Sequence, residues 1–265
     1  MSVKFVDFEA LNLRSKAVLA PATRIGILHL GQQVEELEPD IQGDWVKIKA
    51  EVDGVQAEGV VKSVIDGKRS LRDPASASRE ALVGEAIKEW LRFEKGQGLE
   101  HHAPFFDFVG EMWRAIGLDL DGKDRDTPWS AAAISFMVRN AAERFPKYAK
   151  FKFAASHSRY MHASIVKRNA GDMDVPFWGF RLHEKRPEIG DIVGRWRETP
   201  RDFDDAETSD SFKSHTDIIV SVDSDSVLAI GGNVRQSVSI SRYDKTGAGF
   251  LAATNGVFMH MVNRT

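Results

Sequence analysis

Downstream of residue 78 the apolar residues change their spacing once, and this single change restricts the fold more than any other feature of the sequence. As far as Gly171 they recur at helical intervals. Val83, Ile87, Trp90 and Leu91 share one face, in a helix led by Asp73-Pro74 or Ser78 that stops near Gly96. Phe105, Val109, Met112, Trp113 and Ile116 share another, closed by Gly117. Ile134, Met137, Val138, Ala141 and Ala142 mark a third helix, and a fourth starts near Ser156, carries Tyr160 and Ile165, and ends at Asn169-Ala170-Gly171. After Pro187-Glu188-Ile189-Gly190-Asp191 the pattern is that of strands. His215–Val222 and Val227–Val234 flank the turn Asp223-Ser224-Asp225 as a hairpin, and residues 237–240 and 256–262 are expected to add edge strands. Residues 197–214 are polar and read as a long surface loop. Helices first and an antiparallel sheet second make an α+β domain.

Residues 1–66 read differently. Trp45–Val52 alternates with period two between the turn signals Gln42-Gly43-Asp44 and Asp53-Gly54, and Val34–Glu38 and Glu58–Ile65 supply further short strands. Short strands with glycine turns predict a small all-β barrel. Residues 67–78, with Gly67, Lys68, Arg69, Pro74 and three serines, read as a linker. The predicted division is therefore 1–66, a linker at 67–78, and 79–265, which suits a chain of 265 residues.

Composition removes several function classes. Seven Lys/Arg against eleven Asp/Glu leave −4 over residues 1–66 and +1 over the rest of a chain whose formal net charge is −3. This gives no electrostatic case for nucleic acid or an anionic membrane. The sequence has no cysteine, so disulfides, thiolate metal sites and cysteine nucleophiles are excluded. No apolar stretch approaches the roughly 20 residues of a membrane span, and the start Met1-Ser2-Val3-Lys4-Phe5 lacks a signal-peptide apolar region. The expectation is synthesis in the cytoplasm, with any work outside it requiring another route.

The chemistry concentrates at Thr127-Pro128-Trp129-Ser130. Thr127 is the expected N-cap and Pro128 suits the first helical position, which would put Ser130 in the first turn. Free backbone N–H groups and the helix dipole favour negative charge there, so a hydroxyl nucleophile would find oxyanion donors beside it. A serine that merely helps to cap the helix gives the same pattern. His157, in Ser156-His157-Ser158-Arg159-Tyr160, is a candidate cleft residue, and Trp129 and Trp45 are candidate ligand contacts. Trp45 equally suits a core or edge position. His101 and His102 read as solvated loop residues.

Two resemblances follow from these segments. Leu11-Asn12-Leu13-Arg14-Ser15, Leu30-Gly31-Gln32-Gln33-Val34, Gly43-Asp44-Trp45-Val46-Lys47-Ile48 and Glu58-Gly59-Val60-Val61 together resemble a bacterial SH3-like domain. Such domains bind cell-wall peptides or pack against a catalytic domain. Residues from about 79 to 262 resemble the family catalogued as domain of unknown function 2272, through Pro128–Ala132, Ser156–Tyr160, Gly190–Val193, His215–Val220 and Ile230–Val234. The order of these segments is also similar to papain-like hydrolases of the NlpC and CHAP type. That resemblance implies Ser130 at the nucleophile position, His215 as base, and Asn233 at or near the third, orienting position. It departs from the pattern twice: serine replaces cysteine, and Gly231 stands where many CHAP domains have an acidic residue before the Asn. Asp217 is the candidate substitute, because alternate residues of a strand share a face and His215 and Asp217 point into one space. Asp191 reads as a turn residue bonding its own backbone.

Three readings are open at this point. The first is a serine hydrolase cleaving amide bonds in peptidoglycan, as endopeptidase or amidase, brought to the wall by the N-terminal barrel. An antibacterial effector delivered by a secretion machine, with a cognate inhibitor or immunity protein as partner, or a phage lysis enzyme, would fit it. The second is a binding module on the same scaffold. The third is a metal-assisted hydrolase using His215 and Asp217 with Asp191 or His157, although no tight metal-ligand spacing supports it. No cofactor and no metal are expected for the first two.

Overall fold

The computed structural model describes all residues, Met1 to Thr265, and the chain divides into two compact units, Met1–Ala75 and Ser76–Thr265. The first unit is all β. Its strands are β1 (Ser2–Val6), β2 (Ala10–Arg14), β3 (Arg24–His29), β4 (Gln33–Ile41), β5 (Trp45–Val52), β6 (Val55–Lys62), β7 (Val64–Ile65), β8 (Lys68–Arg69) and β9 (Leu71–Arg72). Seven of them form one sheet in the order β3-β2-β6-β5-β4-β1-β9. Alternation places Leu11, Leu13, Leu28, Val34, Ile48, Ala50 and Val61 on one side, where they form a single buried cluster with Val6 and Val46. Val52 and Val55 pair across the Asp53-Gly54 turn, which takes positive φ at both residues, as a tight hairpin requires.

The expected linker is largely part of this unit. β8 pairs with β7, β9 pairs with β1 (Phe5↔Arg72, Val6↔Leu71), and Ser70 between them is fully buried. Two-residue strands are held by backbone bonds and need no apolar pattern, so composition could not show them. The boundary falls after Ala75, and Ser76 opens the next unit as an N-cap accepting from the Arg79 N–H. Neither Ser78 nor Asp73-Pro74 has that role.

The second unit is α+β. Its elements are α1 (Ala77–Arg92), α2 (Phe105–Arg114), α3 (Ser130–Ala142), α4 (His157–Asn169), α5 (Phe203–Thr208) and strands β10 (Phe177–Phe180), β11 (Ile192–Trp196), β12 (Ser214–Val222), β13 (Ser226–Val234), β14 (Ser237–Asp244) and β15 (Val257–Asn263). The six strands form one antiparallel sheet in the order β10-β15-β11-β12-β13-β14. The C-terminal strand is therefore interior, paired on both sides, and the edges are β14 and the unexpected β10. The run 197–214 is not wholly loop, since α5 lies within it. Its capping box, Asp202 with Asp205, and its buried Phe203 and Ala206 hold a helix too short for periodicity to register. No helix is long and apolar enough to cross a membrane.

Two contacts fix the helices on the sheet. α3 packs on β12 and β13, and a Cβ added at Gly232 would lie 2.3 Å from the Ala133 Cβ, so the small residues on both sides permit the close approach. Arg79 of α1 reaches the buried Asp191, Nη1 to Oδ1 at 2.8 Å, while His260 Nε2 meets Oδ2 at 2.8 Å and the Asn263 N–H meets Oδ1 at 2.8 Å. Asp191 also accepts from the Glu188 N–H, the local turn bond expected of it. Its main work is to join α1 to the centre of the sheet.

Candidate active site

Ser130 is the first residue of α3, but Thr127 does not cap the helix. Thr127 N–H bonds the Asp124 carbonyl in a preceding turn, and Trp129 occupies the N-cap position without a side-chain bond to the helix N–H groups. The helix entry is set by burial of Trp129, which is 2 % exposed, stacks on Phe93 and donates its indole N–H to Glu100. The first N–H groups of such a helix have no intrahelical acceptor, so their partial positive charge gathers around Ser130.

The partner of Ser130 is His157. Ser130 Oγ lies 2.6 Å from His157 Nε2. For Nε2 to accept the hydroxyl proton, the ring carries its own hydrogen on Nδ1. That N–H faces two hydroxyls, Thr216 Oγ1 at 2.9 Å and the Tyr160 oxygen. Burial raises the Tyr160 phenol well above its ordinary value, so it stays protonated and shares a hydrogen bond with Thr216 Oγ1 at 2.8 Å. Burial first, then the neighbouring His215 ring and the Arg197 and Arg195 guanidiniums, hold His157 well below the usual imidazole range. The arrangement is a hydroxyl held against an imidazole kept neutral by burial, whose other nitrogen is held in place by the Tyr160 and Thr216 hydroxyls.

His215 belongs to a second chain of bonds. Arg197 Nη2, which can only donate, faces His215 Nδ1 at 3.2 Å, and His215 Nε2 then donates to Asp217 Oδ1 at 2.8 Å. The phenol of Tyr243, raised by burial and by the Asp217 charge, donates to Asp217 Oδ2. Burial alone would raise the Asp217 carboxyl, but His215 and Tyr243 outweigh it and keep the group below its ordinary range. The two chains meet at the imidazoles, whose ring centroids are 5.1 Å apart.

Of the residues expected to act together, the structure brings His215 and Asp217 together and leaves Asn233 apart. Asn233 sits in a bulge of β13 with φ 52°, and both His215 nitrogens already face Asp217 and Arg197. A Cβ at Gly231 would lie 1.6 Å from Asp217 Oδ1. The carboxylate of one strand thus fills the space that a side chain at 231 would occupy on the next. Of the ligands named for the metal-assisted alternative, Asp191 is held by Arg79 and His260, His157 faces Ser130, and no group of three His, Asp or Glu side chains is placed to hold a metal ion. Trp129 is core. Trp45, only 5 % exposed, lines a cavity of about 320 Å³ in the first unit with Arg14 and Lys62, the Lys62 ammonium standing 5.4 Å from its ring centre. Sequence reasoning singled out His157 only as a cleft residue and missed Tyr160 and Thr216. The spacing of His157 and Tyr160, three residues apart on a helix, was the available signal.

The protein family described as "Uncharacterized protein conserved in bacteria (DUF2272)" matches residues 107–264. No curated protein matches the sequence. A solved structure titled "Structure of NlpC2 from Trichomonas vaginalis" is similar at a TM-score of 0.31 and 10 % identity, over 99 % of this chain and 74 % of that one. A likeness at that score carries no argument, and the α+β assignment rests on the elements themselves.

Proposed function

The chain belongs to the DUF2272 family of uncharacterized bacterial proteins, and from that premise we propose that its second unit is a serine hydrolase of papain-like type acting on amide bonds of peptidoglycan peptides. The observation that carries the reading is the 2.6 Å approach of Ser130 Oγ to Nε2 of a neutral, oriented His157 at the start of a helix. In this mechanism Ser130 Oγ attacks the scissile carbonyl while His157 Nε2 takes its proton. The first N–H groups of α3 stabilise the oxyanion. His157 then returns the proton to the leaving amine, and water, activated by the same nitrogen, releases the acid. The Tyr160–Thr216 pair does the orienting that a carboxylate or amide does elsewhere, and His215 with Asp217 supports the base from beside it. The first unit, as an SH3-like domain, would hold the enzyme on the wall. Delivery by a secretion machine or during phage lysis, and restraint by an immunity protein, belong to the same proposal.

The second reading is a binding module without turnover. It is favoured by the burial of Ser130, 3 % exposed, and of His157, 5 % exposed, since substrate must displace covering groups to reach them. Digestion of purified sacculi, read by mass analysis of released fragments, separates the two. The hydrolase reading expects Ser130→Ala to lower the rate by about 10³-fold or more with little change in melting temperature, and expects a fluorophosphonate probe to label the wild type alone. Intact sacculi with the wild type, or full activity of Ser130→Ala, would leave the binding module.

A further inference from the structure

The hydrogen-bonded cluster around His215 has an imbalance of charge that the proposed reaction does not use. Arg195 and Arg197 lie on β11 and just beyond it, two residues apart, and Arg195 stands opposite His215 in the strand register. Both are half-buried. Arg197 Nη2 faces only His215 Nδ1, and Arg195 Nε is shut away from solvent with no acceptor. The single carboxylate in the cluster, Asp217, is taken up by His215 and Tyr243. Arg197 Nη2 lies 3.2 Å from His215 Nδ1, and the His215 ring centroid lies 5.1 Å from that of His157, the ring that faces Ser130; burial and the Arg195 charge together make Arg197 a weaker base than usual. Half-buried guanidiniums are costly to leave unneutralised, and their planar donor forks match a carboxylate.

We propose that Arg195 and Arg197 form an anion subsite for a free carboxylate of the substrate peptide, next to the bond presented to Ser130. The inference rests on the hydrolase reading for the identity of the substrate, but the subsite itself is a matter of binding. It selects acyl donors or leaving groups that carry a negative charge close to the scissile amide, and disfavours amidated ones. Occupation would add charge-assisted bonds to the parts of the two half-buried guanidiniums that solvent reaches.

The test is calorimetric titration of the full chain carrying Ser130→Ala, so that no turnover intervenes, with N-acetyl-L-alanyl-D-glutamate and with its diamide. The acid is expected to bind at least tenfold more tightly than the diamide. In the same background Arg195→Gln is expected to remove that preference, and Arg195→Lys to restore it only in part. Equal binding of acid and diamide by the chain with both arginines, no binding of either, or a preference that survives Arg195→Gln would each overturn the subsite. The acid–diamide comparison needs no arginine variant, so a folding defect in Arg195→Gln leaves it decisive. Selective acid binding by a chain that leaves sacculi intact would retain the subsite and remove the hydrolase reading, whereas sacculus digestion without acid selectivity would do the reverse.

Discussion

Glu89 shows how much a single buried group can weigh. It lies on α1 with a side chain 1 % exposed, neither carboxylate oxygen has a hydrogen-bond partner, and its nearest cation, Arg92 at 3.6 Å, is already held by both oxygens of Glu111. Burial pushes its pKa up to about 7, from an ordinary carboxyl value of 4.5. A carboxyl raised on folding contributes its full stability below the unfolded pKa and loses it as pH rises through the folded one. Glu89→Gln is therefore expected to match the wild type near pH 4.5 and to exceed it at pH 8, by on the order of 1 to 3 kcal/mol. Denaturant melts at the two pH values check this, and an equal effect at both would assign the change to packing. His157 has the opposite sign: its imidazole is depressed, so the stability linked to it is present above the ordinary imidazole pKa and falls in acid.

At the scale of elements, the C-terminal strand bears more of the sheet than its place in the sequence suggests. β15 pairs with β10 on one side and β11 on the other, and contributes Met259 and Met261, both fully buried, and His260, bonded to Asp191. Removing it strips both neighbours of their ladder bonds and leaves Asp191 short of two donors, the His260 ring and the Asn263 N–H. A chain ending at Gly256 is expected to lose cooperative unfolding of the second unit, seen as a vanished near-ultraviolet circular dichroism signal. An edge strand would be expected to cost far less. A truncated chain that still melted in one sharp transition would contradict the pairing.

For the whole molecule, the division after Ala75 predicts where the chain can be opened. Asp73, Pro74 and Ser76 are exposed, whereas Ser70, a few residues earlier, is buried within the β sheet of the first unit. Limited proteolysis with a broad-specificity protease is expected to cut first between residues 72 and 77. It should release a fragment beginning near Ser76 that keeps the melting transition of the second unit. First cuts within residues 64–70 would show that the short strands there do not hold the chain.

The order of helices and strands was legible in the sequence, because spacing of 3.6 or 2 is a local property that each apolar face carries with it. So was the place of Ser130 at a helix start, and the sharing of one face by His215 and Asp217. Which face of that strand meets the helices was not. Thr216, between them, bonds His157 and Tyr160, while His215 and Asp217 bond Arg197 and Tyr243, with the His215 ring still 5.1 Å from that of His157. Alternation separates Thr216 from His215 and Asp217 along the strand, and packing alone decides which of them the His157 nitrogens reach. The same holds for the interior position of β15, for β10, and for Gly231, whose missing side chain has meaning only once the Asp217 carboxylate is seen in its place. Local periodicity determined the parts and their faces. The pairing of distant segments, which depends on long-range burial and on which polar groups find partners, decided that the histidine beside Ser130 is His157.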